Sequence, residues 1–109
     1  MADSAEASFE LIIERIESEY TNFSVSSRWG RRQLMLGRKM FATFSEIDMS
    51  FKLGESQLTQ AYSIAGAETW NPKGRKNPSR SWVLIPVSQQ KHWMSLALEA
   101  AEYLNQSGA

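Results

Sequence analysis

The hydrophobic positions near the start of the chain repeat with the period of an α-helix. Apolar residues stand at offsets of 3, 4, 7, 11 and 14 from Phe9, which places them on one face of a helix. Asp3 can cap this helix, and Glu6 follows three residues later, as in a capping box. The pattern predicts a first helix over residues 4–22.

From residue 24 to residue 54 the pattern changes to short apolar stretches punctuated by glycines. Apolar and polar residues alternate strictly over 49–53, which is typical of a half-buried strand. The turn through 46–48 is short enough to join the last two strands as an antiparallel hairpin. Three strands are predicted, at 33–36, 39–45 and 49–53.

Helical spacing returns over residues 55–65, and Gly66 can adopt the left-handed conformation that ends a helix. Residues 71–80 contain two prolines, a glycine and four cations, a composition typical of a loop. We expect Trp70 to close a short strand before this loop.

The end of the chain predicts one more strand and one more helix. Residues 82–87 are almost continuously apolar, and Pro86 marks the end of the strand because proline cannot donate to the ladder. Ser88 can cap the final helix, whose apolar face includes Trp93 and Leu104, and Gly108 follows beyond its end.

The predicted order is α-β-β-β-α-β-β-α. Helices alternating with runs of strands favour a two-layer α+β fold, in which an antiparallel sheet carries helices mainly on one face. A chain of 109 residues is long enough to bury one core without staples. We therefore expect residues 1–109 to form a single domain.

Composition removes several classes of protein. Hydrophobic residues make up 42% of the chain, too many for a disordered protein, and there is no cysteine for disulfides, cysteine nucleophiles or zinc knuckles. The first residues lack the basic and apolar regions of a signal peptide, and no apolar run is long enough to span a bilayer. These features predict a cytoplasmic protein without a membrane partner.

Several short motifs built of core-type residues lie within roughly residues 28–104. They are Gly37-Arg38-Lys39-Met40-Phe41-Ala42, Phe51-Lys52-Leu53, Gly66-Ala67-Glu68 with Trp70, Pro72, Gly74 and Arg75, Ser81-Trp82-Val83 with Ile85-Pro86, and Trp93-Met94-Ser95-Leu96-Ala97-Leu98. Together these motifs resemble the TfoX N-terminal domain family, which is related to the YjbR-like group.

This resemblance implies an α+β fold like that of secretion chaperones, in a cytoplasmic bacterial protein with a regulatory or protein-contact role. It implies no catalytic residue. The chain lacks the second, helical half of the longer TfoX pattern, which argues against a role in competence. YjbR-group members are described as DNA-binding largely through fold analogy, which is weak support for a function.

Charge is distributed unevenly although the net charge is zero. Residues 1–22 hold six acids and one base, whereas residues 23–91 hold eleven bases and four acids. If the cations of the middle converge, they attract phosphates or an acidic protein surface. The alternative is that acids of the first helix neutralise them.

Trp29 and Trp70 lie beside these cations, and aromatic and cationic side chains together can bind single-stranded nucleic acid. Trp82 and Trp93 lie on apolar stripes and are predicted to be core residues. The candidate anion or partner contacts are Arg28, Trp29, Arg31, Arg32, Arg38, Lys39, Trp70, Lys73, Arg75, Lys76 and Arg80.

Nothing in the sequence indicates catalysis, a cofactor or a metal. His92, the only histidine, has no companion ligand or nucleophile and is expected to be an exposed helix residue. Glu14, Glu17 and Glu19 belong to the polar face of the first helix, where carboxylates stay solvated. The glycines form neither the Gly-x-x-x-x-Gly-Lys-Ser/Thr motif nor the Gly-x-Gly-x-x-Gly motif, both of which bind phosphates.

Two functions remain open. The first is a non-enzymatic interaction or regulatory module that binds another protein through its sheet or its basic loop. The second is a small nucleic-acid-binding protein that uses the basic middle of the chain. Salt separates them, because phosphate contacts weaken steeply as ionic strength rises whereas apolar contacts change little.

Overall fold

The computed structural model describes residues 4–28, 30–70 and 81–106. Within these ranges the fold has three helices and six strands, with a 3₁₀ helix at Val87–His92. The helices are α1 (Ala5–Glu19), α2 (Glu55–Tyr62) and α3 (Trp93–Gln106). The strands are β1 (Phe23–Arg28), β2 (Arg31–Leu36), β3 (Lys39–Phe44), β4 (Asp48–Lys52), β5 (Glu68–Thr69) and β6 (Trp82–Pro86).

All six strands belong to one antiparallel sheet with the order β1-β2-β3-β4-β6-β5. The predicted hairpin of 39–45 and 49–53 is present as β3 and β4. Alternate residues of a strand point to opposite faces of the sheet. The register between β2 and β3 shifts by one residue after Leu34, so Met40 is opposite Met35 and the neighbours Phe41 and Ala42 are both in the core. The α+β class with an antiparallel sheet is confirmed.

One strand more than predicted precedes α2. β1 is serine-rich, and its apolar alternation is limited to Phe23 and Val25, of which Phe23 also fits the helical spacing that begins at Phe9. The sequence therefore predicts no strand here. Pairing with β2 along its whole length makes it a strand. The order is therefore α-β-β-β-β-α-β-β-α.

The starts of the outer helices also differ from the predictions. The N-cap of α1 is Ser4, whose Oγ accepts a hydrogen bond from the Ala7 amide at 3.0 Å; Asp3 lies outside the described residues. Ser88 does not cap the last helix, because it lies inside the 3₁₀ helix that precedes α3. The predicted position of Gly108 also lies outside the described residues.

The helix α2 ends at Tyr62, earlier than the predicted 55–65. Gly66 has φ of +85°, so the predicted left-handed conformation is present a few residues beyond the helix. The short strand β5 lies directly before Trp70, as expected.

The core lies between one face of the sheet and the helices α1 and α3. The Phe44 ring stacks on Phe9 with centroids 4.0 Å apart and meets Trp93 edge-on at 6.0 Å. Trp93 is fully buried, and its Nε1 donates to the Ile85 carbonyl at 3.2 Å. The buried apolar sheet residues of this covered face are Leu34, Leu36, Phe41, Ala42, Phe44, Met49, Phe51, Val83 and Ile85.

Candidate functional site

Alternation along the strands defines a second sheet face, turned away from α1 and α3, which we call the helix-free face. The Phe44 ring packs on Phe9 of α1 and on Trp93 of α3, so Phe44 and its register partners Arg32 and Met49 mark the covered face. The register places on the helix-free face Ser24, Ser26, Arg28, Arg31, Gln33, Met35, Met40, Thr43, Asp48, Ser50, Lys52, Glu68, Trp82, Leu84 and Pro86, with Trp70 beside them.

A hydrogen-bonded polar cluster lies at one end of this face. The Arg31 guanidinium donates from Nε and Nη2 to the Thr43 hydroxyl at 3.1 and 2.8 Å, and its Nη1 lies 2.7 Å from Asp48 Oδ1. The Thr43 hydroxyl is also hydrogen-bonded to the buried Ser50 hydroxyl. Arg31 therefore joins β2 to β3 and β4, and its charge is balanced within the sheet.

The turn between β3 and β4 positions Asp48 for this ion pair. Ser45 Oγ donates to Asp48 Oδ1 at 3.2 Å and accepts from the Ile47 and Asp48 amides at 3.3 Å. The side chains of Arg31 and Asp48 are only 21% and 14% exposed. Because all three guanidinium nitrogens of Arg31 have a partner, the pair organises the sheet and does not offer an open anion site.

Aromatic side chains occupy the other end of the helix-free face. The rings of Trp70 and Trp82 meet at a centroid distance of 4.6 Å and an angle of 51°. Tyr62 Oη lies 2.7 Å from the Trp82 carbonyl oxygen and 3.3 Å from Thr69 Oγ1, which ties α2 to this edge. The two tryptophan rings thus pack against each other at this edge of the sheet.

Apolar side chains continue across the same face. Met35 and Met40 are opposite each other in β2 and β3, and Leu84 is opposite the buried Ser50. These three side chains and the two tryptophans are all half-buried, yet none belongs to the hydrophobic cluster around Phe9 and Phe44. They form a surface of large apolar groups outside the core.

This position corrects the prediction for Trp82. Its neighbour Val83 is the core residue, and Trp82 points to the helix-free face. A continuous apolar run hides the alternation that would have separated the two residues. Trp93 is in the core as predicted.

The cations expected to cluster on the first strands do not share one face. Arg31 and Arg28 are opposite each other on the helix-free face. Arg32, the next residue of β2, lies on the covered side, where Nη1 is 3.3 Å from Glu6 Oε1 and the guanidinium lies 5.4 Å from the Phe9 ring centroid. An acid of α1 thus balances this one cation.

Arg38 and Lys39 lie at the opposite end of β2 from Arg31. The strand between them spans roughly 16 Å, so these two cations belong to a different part of the surface. The remaining predicted contacts lie outside the described residues. These are Trp29, Lys73, Arg75, Lys76 and Arg80.

His92 and the glutamates of α1 do not form a metal-binding cluster with other described residues. His92 closes the 3₁₀ helix and is half-buried, not the exposed helix residue that was expected. Glu14, Glu17 and Glu19 are exposed on α1. Among the described residues, no three histidine or acidic side chains are arranged to hold a metal ion.

An open groove of about 830 Å³ separates α2 from α3. Glu55, Glu99, Glu102 and Tyr103 line it. Burial, and secondarily the charge of Glu102, raises the pKa of Glu99 above its ordinary value. The groove is acidic and contains none of the predicted contacts.

Sequence reasoning missed Met35, Met40 and Leu84 as members of a surface, and it missed the Arg31–Asp48 pair. The alternation of side chains along β2 could have placed Met35 on the sheet face that Leu34 and Leu36 do not share. The Arg31–Asp48 pair depends on the register of three strands, which no local pattern specifies.

Within the described ranges, no helix is long and apolar enough to cross a bilayer. No protein-family model matches this sequence, and no curated protein or solved structure shows significant similarity to it. The resemblance to the TfoX N-terminal domain family therefore stays a prediction.

Proposed function

We propose that this protein is a non-enzymatic interaction module that binds another protein through its helix-free face. One observation carries the proposal. Trp70, Trp82, Leu84, Met35 and Met40 are large and half-buried on one sheet face, and they do not pack with the core. Apolar side chains in that position gain free energy when a partner covers them.

The apolar residues and the arginines of this face are of the types found in protein interfaces, and the face also carries Lys52, Asp48 and Glu68. Aromatic residues, methionine and arginine are enriched at the centres of interfaces, and lysine and acids are depleted there. Methionine adapts its shape to a partner, and tryptophan contributes a large contact area. The partner that fits is a protein segment with exposed apolar side chains.

The polar cluster supports the same function by making the surface rigid. Arg31, Thr43, Ser50 and Asp48 satisfy each other across three strands. A sheet fixed in this way presents the neighbouring apolar groups without an ordering cost on binding. The resemblance to TfoX-like domains, with the cytoplasmic regulatory role it implies, agrees with this proposal.

Nucleic-acid binding is the second candidate, and the described residues support it less. Arg31 is paired with Asp48, Arg32 with Glu6, and Arg38 lies at the far end of the hairpin. A strand of phosphates needs several cations along one path. The described cations do not follow one path.

A binding comparison with matched variants tests the proposal. Immobilised wild-type protein, Leu84→Ser and Leu11→Ser are exposed to a cell lysate, and a protein retained by the wild type is purified and titrated. Leu11 is the control, because it is a 54% exposed apolar residue on α1, in the other layer. We expect Leu84→Ser to weaken binding by roughly tenfold or more and Leu11→Ser to leave it unchanged.

Tryptophan fluorescence supplies the second readout. A partner on the helix-free face should shift the emission of Trp70 and Trp82, and the affinity should change little between low and physiological salt. Equal binding by Leu84→Ser and Leu11→Ser would contradict the proposal. Saturable binding of single-stranded or duplex DNA that weakens steeply with salt would favour the nucleic-acid function instead.

A further inference from the structure

The two edges of the sheet differ in length and exposure. The edge at β5 is only two residues long, whereas β1 contributes six residues and five of them are exposed. Proteins protect long edges with proline, lysine, bulges or a covering element. β1 contains no proline or lysine, its pairing with β2 has no bulge, and its only charged residue is Arg28.

The pairing with β2 shows which backbone groups of β1 point outward. The Gly37 amide donates to the Asn22 carbonyl at 2.9 Å, so this opposed pair is a hydrogen-bonded one. Such pairs alternate along an antiparallel ladder. Ser24, Ser26 and Arg28 therefore bond to β2, and the amides and carbonyls of Phe23, Val25 and Ser27 point away from the sheet.

We propose that two copies of this chain pair antiparallel through β1, about a twofold axis at Val25. The outward groups are symmetric about this residue, because Phe23 and Ser27 lie two positions to either side. In the pair, Val25 is opposite Val25 of the second copy, and Phe23 is opposite Ser27. The backbone amides and carbonyls of all three outward residues in each copy then form hydrogen bonds with the other copy, up to about six in total.

Side chains and charges fit this register. Val25 is 38% exposed and would be covered by its own symmetry mate. Ser24 would be opposite Ser26, and Arg28 would be opposite the neutral Asn22 of the second copy. Because no two like charges are opposite each other, the pairing avoids the repulsion that separates charged edges.

Within residues 4–28, 30–70 and 81–106, β1 pairs only with β2 and five of its six residues are exposed, so its outer edge is accessible there. The helix α3 contacts β2, β3 and β4 on the covered face. Trp70 and Trp82 lie near the other edge of the sheet. The paired state therefore leaves the proposed partner-binding face free, and the two proposals can fail independently.

Single cysteines test the register, because the chain contains no cysteine of its own. Opposed residues of a hydrogen-bonded antiparallel pair have Cα atoms about 5.5 Å apart, within the range of a disulfide. We expect Val25→Cys to form a covalent dimer on mild oxidation. Ser27→Cys is the control, because the two copies of Ser27 lie about 13 Å apart in this register.

Charged variants test the interface without oxidation. The mass of the wild-type protein, measured by light scattering over a wide concentration range, should rise from 12.4 kDa to twice that value. Val25→Lys should remain monomeric and Val25→Glu likewise, whereas their mixture should dimerise. Ser26→Lys adds the same charge opposite Ser24, and it should dimerise nearly as well as the wild type.

Each outcome decides the proposal once circular dichroism shows that the variants are folded. Wild-type protein that stays monomeric at every concentration overturns it. A dimer that survives Val25→Lys, or stronger cross-linking of Ser27→Cys than of Val25→Cys, also overturns it. Cross-linking at Val25 together with dimerisation only in the Lys and Glu mixture supports it.

Discussion

The two faces of the sheet are built from the same strands and have opposite compositions. On the covered face, residues such as Phe44, Phe51 and Ile85 are apolar and buried beneath helices. On the helix-free face, buried hydroxyls and an ion pair lie beside half-buried methionine and tryptophan. The covered face stabilises the fold by burial, whereas the helix-free face pairs polar groups with one another and leaves large apolar groups outside the core.

The largest expected difference between the faces is in the cost of removing an apolar side chain. Phe44→Ala should lower the free energy of unfolding by about 3–5 kcal/mol, because the ring stacks between Phe9 and Trp93. Met35→Ala on the other face should cost less than about 1 kcal/mol. Urea unfolding measures both, and similar losses would contradict the assignment of the two faces.

The second largest expected effect is the loss of the Arg31–Asp48 ion pair in the polar cluster. Asp48→Ala should lower the free energy of unfolding by about 2 kcal/mol, because Arg31 then keeps only its hydrogen bonds to Thr43. Glu46→Ala, an exposed acid in the same turn, should change it by less than about 0.5 kcal/mol. If both variants unfold at the same urea concentration, the ion pair contributes nothing.

A smaller effect separates Arg32 from its neighbour Arg31. Arg32 and Glu6 are 45% and 42% exposed, so solvent screens their ion pair. Glu6→Gln should therefore cost less than about 1 kcal/mol, and the difference should vanish in high salt. If thermal unfolding showed that Glu6→Gln lowers stability as much as Asp48→Ala does, the ion pairs of Arg31 and Arg32 would contribute equally to stability.

The smallest effect concerns pH and lies in the groove between α2 and α3. Burial raises the pKa of Glu99 above 4.5, so its charge is disfavoured in the folded state. This penalty is present at neutral pH and is lost as the pH falls through the raised pKa toward 4.5. Glu99→Gln should slightly raise the melting temperature at neutral pH and leave it unchanged below pH 4.5. A lower melting temperature at neutral pH would contradict this sign.

Helical periodicity predicted much of the covered layer correctly. Phe9, Ile12 and Ile16 on α1 and Trp93 and Leu104 on α3 are buried, because a single amphipathic stripe specifies both the helix and the face it buries. The candidate site was harder to predict. Of its residues, Arg31 and Trp70 were named from local charge and aromatic content, and Met35, Met40 and Leu84 were not.

The strand β1 could not be predicted from the local sequence pattern. Its serines favour no particular structure, and the strand exists because β2 offers a full ladder of backbone partners. Its position at the edge follows from the strand order, and the outward direction of the backbone amides and carbonyls of Phe23, Val25 and Ser27 follows from its hydrogen bonding to β2.

The sequence by itself determined the helices, the α+β class and most strands, because each rests on a hydrophobic period within one short segment. Only the tertiary structure decided that Arg31 and Arg32 point to opposite faces with different partners, and that Trp82 joins Trp70 outside the core. Those outcomes depend on strand register and on which face the helices cover. Both are set by contacts between segments far apart in the chain.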